Sequence, residues 1–305
     1  TPDEVVAAVV DHRGTLGQQW TRKTGNRNKP EAYLAVMESL IREALESGTE
    51  FVGMGISIPG IVDVDRGVCR SSVNLGDWEG VPLVELLEKA LPPGAPGILL
   101  ENDAAAGLVA NHWFQDFAFD LEESIYVSLG RGVGCAQMSG GKLARGQRYA
   151  AGEIGCLPSG AEGRRCPCGK EDCLQTYCGE AGLVKSLVNL EPSLSPRSLT
   201  EICSAAADDP KLRAHFQQAL SPLIDKIGTM IALSDPSVLV VACHEPRLAE
   251  IVPKVLRAGL QNYLGGGDAG MIPITRGFAP AEACLLGAGA SVFEIAFSQE
   301  SLRLA

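Results

Sequence analysis

The segment SIYVSLGRGVGCAQM, residues 124–138, decides the fold expected for this chain of 305 residues. Its first six residues form an apolar run that predicts a strand. The glycine-rich turn 130–134 then leads into a returning strand at 135–138. A strand, a hairpin and a helix already follow one another in the first half, beginning at residue 5. The repetition predicts two α/β halves with a cleft between them.

The other predicted elements rest on hydrophobic spacing and on glycine or proline at their ends. Strands are predicted at 5–10, at 16–24 as its antiparallel neighbour, and at 51–58, 97–100 and 238–242. Helices are predicted at 30–47, 81–90, 104–113, 181–188, 199–207, 210–233 and 281–297. The helix at 210–233 has a weak point at Pro222.

Composition and charge exclude several classes of function. The net charge of −11 argues against broad binding of nucleic acid or of a membrane surface by this chain. The sequence contains no apolar run of membrane-spanning length and no secretory signal at its start. Ten cysteines without such a signal are typical of reduced thiols in a cytoplasmic protein. We therefore expect a cytoplasmic location.

The segment Cys166-Pro167-Cys168-Gly169-Lys170-Glu171-Asp172-Cys173 predicts a zinc knuckle. Three thiols within eight residues can meet at one ion if the chain turns tightly, and Gly169 suits a turn with positive φ. Zinc prefers four ligands, and we predict Cys156 as the fourth, with Cys178 as the other candidate. The alternative is that these cysteines are small buried hydrophobic residues.

Six motifs occur in an order that resembles the ROK family, a group of bacterial sugar kinases with repressor and open-reading-frame relatives. They are SIPGIVD at 57–63, VNL at 73–75 with WEGVPL at 78–83, ENDA at 101–104, the turn at 130–134, GEIG at 152–155 and the cysteine segment. The resemblance implies an actin-like (ribonuclease H-like) two-lobed fold with a hexose in the cleft, usually in a homo-oligomer such as a homodimer. We expect one lobe at 1–105, with a C-terminal helix at about 286–305 packing on it. The other lobe is expected at 106–285, with the zinc knuckle at about 156–178.

The resemblance implies a set of sugar contacts. A sugar needs hydrogen-bonding groups on rigid turns, because each hydroxyl exchanges water for protein. The predicted contacts are Gly60, Asn74, Asn102, Asp103, Glu153 and Gln175. In a kinase of the family Asp103 would be the general base. The residues alone leave two alternatives open: Asp103 could cap the helix that follows, and Glu153 could be a solvated loop carboxylate.

Two positions depart from the family pattern on the sugar side. Cys156 stands where the family usually has His, and Gln175 stands where it has Glu. Four thiolates can still bind zinc, so we expect a structural zinc that supports the loop of Glu153 and the segment of Gln175. The identity of the sugar depends on these two positions.

The phosphate side departs further from the family. The Gly-Gly-Thr part of the family's opening phosphate turn would fall on Thr1, Pro2 and Asp3. Proline has no amide hydrogen and Asp3 would repel phosphate. The second phosphate turn is Gly130-Arg131-Gly132, whose arginine could contact a phosphate. The Gly-Gly pair after the strand at 238–241 is replaced by Ala242-Cys243-His244.

These patterns predict a sensor and not a catalyst. We expect the effector region of a ROK-type transcriptional regulator, which binds a sugar or sugar phosphate. DNA contact would come only from an upstream domain that this sequence does not contain. The alternative is an ATP-dependent hexose or N-acetylhexosamine kinase that uses Mg-ATP, with Asp103 as its base.

Overall fold

The computed structural model describes residues 3–25, 29–117, 120–160, 163–263 and 272–297. Thr1 and Pro2, which carry two of the phosphate-turn positions, lie outside these ranges, as does the predicted C-terminal helix beyond residue 297. The strands are β1 (Glu4–Val10), β2 (Leu16–Lys23), β3 (Met54–Ile58), β4 (Ile61–Asp63), β5 (Val68–Ser71), β6 (Glu79–Val81), β7 (Ile98–Asn102), β8 (Ser124–Leu129), β9 (Val133–Ser139), β10 (Lys142–Leu143), β11 (Val238–Cys243) and β12 (Ile274–Arg276). The helices are α1 (Pro30–Leu45), α2 (Leu83–Ala90), α3 (Asp103–Phe114), α4 (Gln175–Cys178), α5 (Glu180–Leu190), α6 (Leu199–Ala206), α7 (Pro210–Ala219), α8 (Ser221–Ser234), α9 (Leu248–Tyr263) and α10 (Pro280–Ala296).

The chain divides into two compact units. Among the described residues, unit 1 contains those up to Asp116, the segment Arg145–Ala150 and those from Ala281 onward. Unit 2 contains the described residues of Phe117–Ala144 and Ala151–Pro280.

In unit 1, two parallel strands place two of the predicted sugar-side motifs at one edge of a sheet. β3 pairs with β7 in parallel, and the last paired residues are Ile58 and Asn102. The carboxyl ends of parallel strands meet at the same edge, where α/β proteins commonly bind ligands. The turn at Pro59-Gly60 and the start of α3 therefore lie side by side.

Two antiparallel sheets complete the strands of unit 1. β1 and β2 form the predicted hairpin, and β4, β5 and β6 form a sheet in that order. The core under the second sheet contains Trp78, which is fully buried and meets the ring of Tyr33 edge-on at 5.2 Å.

The small residues of α10 allow its backbone to approach its neighbours in unit 1 closely. A Cβ on Gly287 would lie 1.8 Å from the carbonyl oxygen of Ala106 in α3. A Cβ on Gly55 of β3 would lie 1.9 Å from the carbonyl oxygen of Ala288 in α10. No side chain fits in these two places, so the close packing of α10 on β3 and α3 requires glycine at both positions.

Unit 2 is built on a five-stranded sheet with the order β10-β9-β8-β11-β12. β8 pairs antiparallel with β9 and parallel with β11, and all six residues of β11 are buried. Buried side chains from helices α4 to α9 join those of the sheet in one hydrophobic cluster. Leu129 pairs with Cys243 at the carboxyl ends of β8 and β11, so the turn at Gly130 lies beside His244.

Most predicted elements are confirmed, within a few residues at their ends. The break at Pro222 is also confirmed, because α7 ends at Ala219 and α8 begins at Ser221 with proline in its first turn. Helices α4 and α9 and the short strands β4, β5, β6 and β12 were not predicted from the sequence. No helix in the described part of the chain combines the length and the apolar character needed to cross a membrane.

Candidate functional site

The side chain of Asn102 joins the two motifs at the edge of β3 and β7. Its Oδ1 accepts hydrogen bonds from the amides of Ala104 and Ala105, at 2.8 and 3.0 Å, and so caps α3. Its Nδ2 donates to the carbonyl oxygen of Gly60 at 2.8 Å. Gly60 has φ +115°, and a Cβ there would lie 2.3 Å from the Ser71 carbonyl oxygen, so the turn requires glycine.

Asp103 is the first residue of α3 and does not occupy the capping position. The cap is Asn102, whereas Oδ1 of Asp103 accepts a hydrogen bond from the amide of Ala104 at 2.9 Å. The thiol of Cys284 lies 3.8 Å from the Asp103 carbonyl oxygen. Asp103 is only partly buried. The capping role that the sequence left open for Asp103 therefore belongs to its neighbour Asn102.

The second sugar-side motif of unit 1 presents Asn74 to solvent. Asn74 is exposed, whereas the neighbouring Leu75 and Trp78 are buried. The two buried side chains fix the loop to the core, and Asn74 is left on its surface.

In unit 2, the loop that carries Glu153 packs directly on the backbone of β9. Gly152 has φ +87°, and a Cβ there would lie 2.2 Å from the Cys135 carbonyl oxygen. A Cβ on Gly155 would lie 2.5 Å from the carbonyl oxygen of Val133. These two close approaches hold Glu153 between them.

Glu153 is half-buried and not a fully solvated carboxylate. Burial raises the pKa of its carboxyl group above the ordinary value. Burial and the nearby Glu153 charge together raise the pKa of Cys135 to about 12. A partly buried carboxylate with a raised pKa is typical of functional sites.

Three of the four predicted metal ligands lie together. The sulfur atoms of Cys156, Cys168 and Cys173 are all within 4.8 Å of one another, and those of Cys168 and Cys173 are 3.5 Å apart. Cys166, the remaining predicted ligand, is not in this group, and its Sγ lies beside the side-chain amide of Gln175. Gly169 has the positive φ expected for the turn, +85°. This set of thiols fits the ligand chemistry of tetrahedral zinc.

The pKa values of the thiols show how crowded the cluster is. Burial and the neighbouring thiols raise the pKa of Cys156 to about 12. At Cys168, burial raises the pKa of the thiol. A hydrogen bond from the Lys170 amide and contacts with the other thiols lower it, and the net pKa lies below the ordinary value. Thiolates this close repel one another, which favours the protonated thiols. A bound cation would offset this repulsion and displace the protons.

Gln175 points towards the thiols. Its Nε2 lies 3.0 Å from Sγ of Cys166 and 3.7 Å from Sγ of Cys156, in geometry suited to donation. Cys178, the other candidate ligand, is fully buried in the hydrophobic cluster and is not in the metal-ligating group found among the described residues. An amide donor beside several sulfur atoms stabilises their negative charge, as a carboxylate could not.

The edge of unit 2 at the carboxyl ends of β8 and β11 carries a carboxylate and an imidazole. The Gly130 carbonyl oxygen accepts from the amide of Glu180, the first residue of α5, at 2.8 Å, and the amide of His244 donates to the Leu129 carbonyl oxygen at 2.8 Å. Nδ1 of His244 lies 3.6 Å from Oε1 of Glu180. Arg131, at the tip of the turn, is exposed. The Glu180–His244 pair therefore stands beside the Gly130-Arg131-Gly132 turn, which carries a cation of its own in Arg131.

One buried ion pair in unit 1 was not predicted. Glu101 is only 4% exposed, and Nη1 of Arg145 lies 2.7 Å from its Oε1 and 2.6 Å from its Oε2. The partners are separated by 44 positions in the sequence, and no local pattern connects them.

The chain belongs to the ROK family, whose model matches residues 2–291. A xylose repressor of Caldicellulosiruptor bescii is 29% identical over 157 residues, which are 51% of this chain and 38% of the repressor. The glucokinase of Thermotoga maritima is 24% identical over 94% of this chain and 93% of the enzyme. The chain spans about two fifths of the length of the Caldicellulosiruptor xylose repressors that it matches.

The solved structures support the same family at the level of the fold. A ROK family glucokinase from Streptomyces griseus, in complex with glucose and AMPPNP, matches 95% of this chain and 96% of its own with a TM-score of 0.78 and 24% identity. The chain therefore has the mixed α/β fold of ROK sugar kinases. The relatives include both repressors and glucokinases.

Proposed function

We propose that this chain is the sugar-binding effector region of a ROK-type transcriptional regulator. It binds a sugar or a sugar phosphate and does not phosphorylate it. On the sugar side, Asn102 and Gly60 form one hydrogen-bonded turn in unit 1, and Glu153 is half-buried on a loop fixed to β9 in unit 2. The similarity to xylose repressors supports the regulatory role.

The observation that carries the proposal is the Glu180–His244 pair beside the Gly130 turn. A nucleotide phosphate needs backbone amides or cations at the carboxyl edge of a sheet. Here the carboxylate of Glu180 lies at the amino end of α5, and the imidazole of His244 stands where the family pattern has glycine. The carboxylate repels phosphate and the imidazole occupies space, and in this proposal they outweigh the attraction of the exposed Arg131, so that the site opposes ATP.

Zinc is proposed as a structural ion. Cys156, Cys168 and Cys173 would hold it, with Cys166 as the predicted fourth ligand, and Gln175 would donate a hydrogen bond to the sulfur atoms. The ion would cross-link the loop that follows Glu153 to the start of α4.

A kinase is the second candidate, and the position of Asp103 favours it. Asp103 is relieved of the capping role by Asn102, as a general base requires. The glucokinase of Thermotoga maritima also matches this chain over nearly its whole length. In this candidate Mg-ATP phosphorylates a hexose or an N-acetylhexosamine.

The two candidates are separated by measuring sugar-dependent ADP formation with purified, zinc-loaded protein. A panel of hexoses, pentoses and N-acetylhexosamines is incubated with Mg-ATP. We expect no turnover above that of a matched Asp103→Asn variant. Sugar-dependent turnover that disappears in this variant would overturn the regulator proposal and establish the kinase.

A further inference from the structure

We infer that Arg145 is a positioning residue, which holds the Glu101-Asn102-Asp103 segment in its sugar-binding geometry by its ion pair with Glu101. The inference rests on the proposed sugar-binding function. Arg145 itself is not proposed to touch the sugar.

The first step is the charge of Glu101. Its carboxylate is almost completely buried, and burial raises the pKa of this group while Arg145 opposes the rise. A buried carboxylate stays ionised only when it is paired and hydrogen-bonded. The guanidinium group of Arg145 contacts both carboxylate oxygens and so fixes the orientation of the side chain as well as its charge.

The second step is the connection from Glu101 to the turn. Oε1 of Glu101 also accepts a hydrogen bond from the backbone amide of Asn102 at 2.8 Å. The side chain of Asn102 in turn holds the first amides of α3 and the carbonyl oxygen of Gly60. A displaced Glu101 carboxylate would therefore move the peptide from which Asn102 and Asp103 project.

The third step is that a second contact holds the segment 145–150 in unit 1. The hydroxyl group of Tyr149 donates to the carboxylate of Asp65, and the guanidinium carbon of Arg70 lies 5.5 Å from the centre of the Tyr149 ring. Tyr149 has φ +57°, which is unfavourable for a bulky side chain and persists only where other contacts impose it. The segment that carries Arg145 is thus held in unit 1 by the contacts of Tyr149 as well as by the ion pair with Glu101.

The test compares Arg145→Ala with Arg148→Ala, which removes an exposed arginine from the same segment. Hydrogen exchange is measured at the amides of Ala104 and Ala105, and the Kd is measured for D-glucose and for D-xylose. We expect faster exchange at both amides and about tenfold weaker sugar binding in Arg145→Ala, with Arg148→Ala unchanged. Adding methylguanidinium, but not methylammonium at equal ionic strength, should restore both properties in part.

A merely structural ion pair would lower stability without this pattern. Unchanged exchange at Ala104 and Ala105 in Arg145→Ala, or equal effects of the two cations, would overturn the inference. If Arg145→Ala fails to fold, Arg145→Lys keeps the charge and loses the paired contact, and the same amides are expected to exchange faster.

The proposed sugar-binding function and the inference about Arg145 can be contradicted independently. If wild-type protein binds no sugar of the panel, the proposed function is wrong. The exchange rates in the two arginine variants then still decide whether Arg145 positions the segment.

Discussion

At the scale of single residues, hydrogen bonds and burial distinguish roles that the sequence left open. Asp103 and Asn102 are adjacent polar residues before a helix, and both are acceptable capping residues. The structure gives the cap to Asn102. Glu153 lies partly buried between two glycines that pack on β9, and Gln175 is directed to sulfur atoms.

Two substitutions of Asn102 should destabilise the protein to different extents. Asn102→Ala removes the cap of α3 and the hydrogen bond to Gly60, and we expect the free energy of unfolding to fall by about 2 kcal/mol. Asn102→Asp keeps the acceptor and loses the donor, so its loss should be about 1 kcal/mol. Urea denaturation measures both, and equal losses would contradict the assignment of two separate roles.

The raised pKa of Glu153 predicts a pH dependence of stability. A carboxyl group with a higher pKa in the folded than in the unfolded state binds its proton more tightly when folded. Its ionisation therefore lowers the free energy of unfolding as the pH rises from the pKa of the unfolded chain through the pKa of the folded protein. Glu153→Gln should be more stable than wild type at pH 8, and the difference should shrink as the pH falls towards 4.5.

The control for this prediction is an exposed carboxylate of the same unit. Glu171→Gln should change stability little between these pH values. Thermal unfolding at constant zinc concentration measures the curves. A wild-type protein that is more stable than Glu153→Gln at pH 8 would contradict the raised pKa.

At the scale of elements, the loops depend on close contacts of backbone with backbone. Gly152→Ala would place a methyl group against the Cys135 carbonyl oxygen, at a positive φ as well. Gly140→Ala provides a matched control, because Gly140 also has a positive φ, +57°, but no atom lies within 4 Å of its Cβ position.

We expect Gly140→Ala to cost about 1 kcal/mol, from the backbone conformation alone. Gly152→Ala should cost about 3 kcal/mol or more, because the clash adds to the same conformational penalty. It should also weaken sugar binding, since Glu153 is the next residue. Equal losses in urea denaturation would show that the contact with β9 does not position the loop.

The cysteine cluster makes a prediction about metal content. Purified wild-type protein should carry about one zinc per chain, and chelation should lower its melting temperature. Cys156→Ser should lose most of the metal, whereas Cys178→Ala should keep it, because Cys178 lies in the apolar cluster. Metal analysis and thermal unfolding test this, and an unchanged melting temperature after chelation would mean that the cysteines are only core residues.

At the scale of the whole molecule, local patterns account for most of the elements and fewer of the contacts. The hairpin of β1 and β2 and the break at Pro222 follow from local spacing and turn residues. Helix α9 contains Pro253 in its interior, which argues against a helix, and its packing in unit 2 overrides that preference. Strands β4, β5, β6 and β12 have three or four residues each, too few for a clear alternation.

The candidate site shows the same division between local and distant information. The clustering of Cys156, Cys168 and Cys173 was predictable because these cysteines are close in sequence and chemically distinctive. The pairing of Glu101 with Arg145 was not, because only the fold brings the two residues together. The direction of the Gln175 side chain was also inaccessible to the sequence, since it depends on how the cysteine loop turns.

The central claim is that the chain binds sugar and excludes ATP. It is tested most directly by thermal unfolding of zinc-loaded protein in parallel titrations with Mg-ATP and with hexoses, pentoses, amino sugars and their phosphates. A ligand at 100 times its Kd stabilises the folded state by about 2.7 kcal/mol, which is a readily measured shift. We predict that at least one sugar or sugar phosphate raises the melting temperature and that Mg-ATP does not. A clear rise in melting temperature with Mg-ATP would contradict the account and favour the kinase candidate.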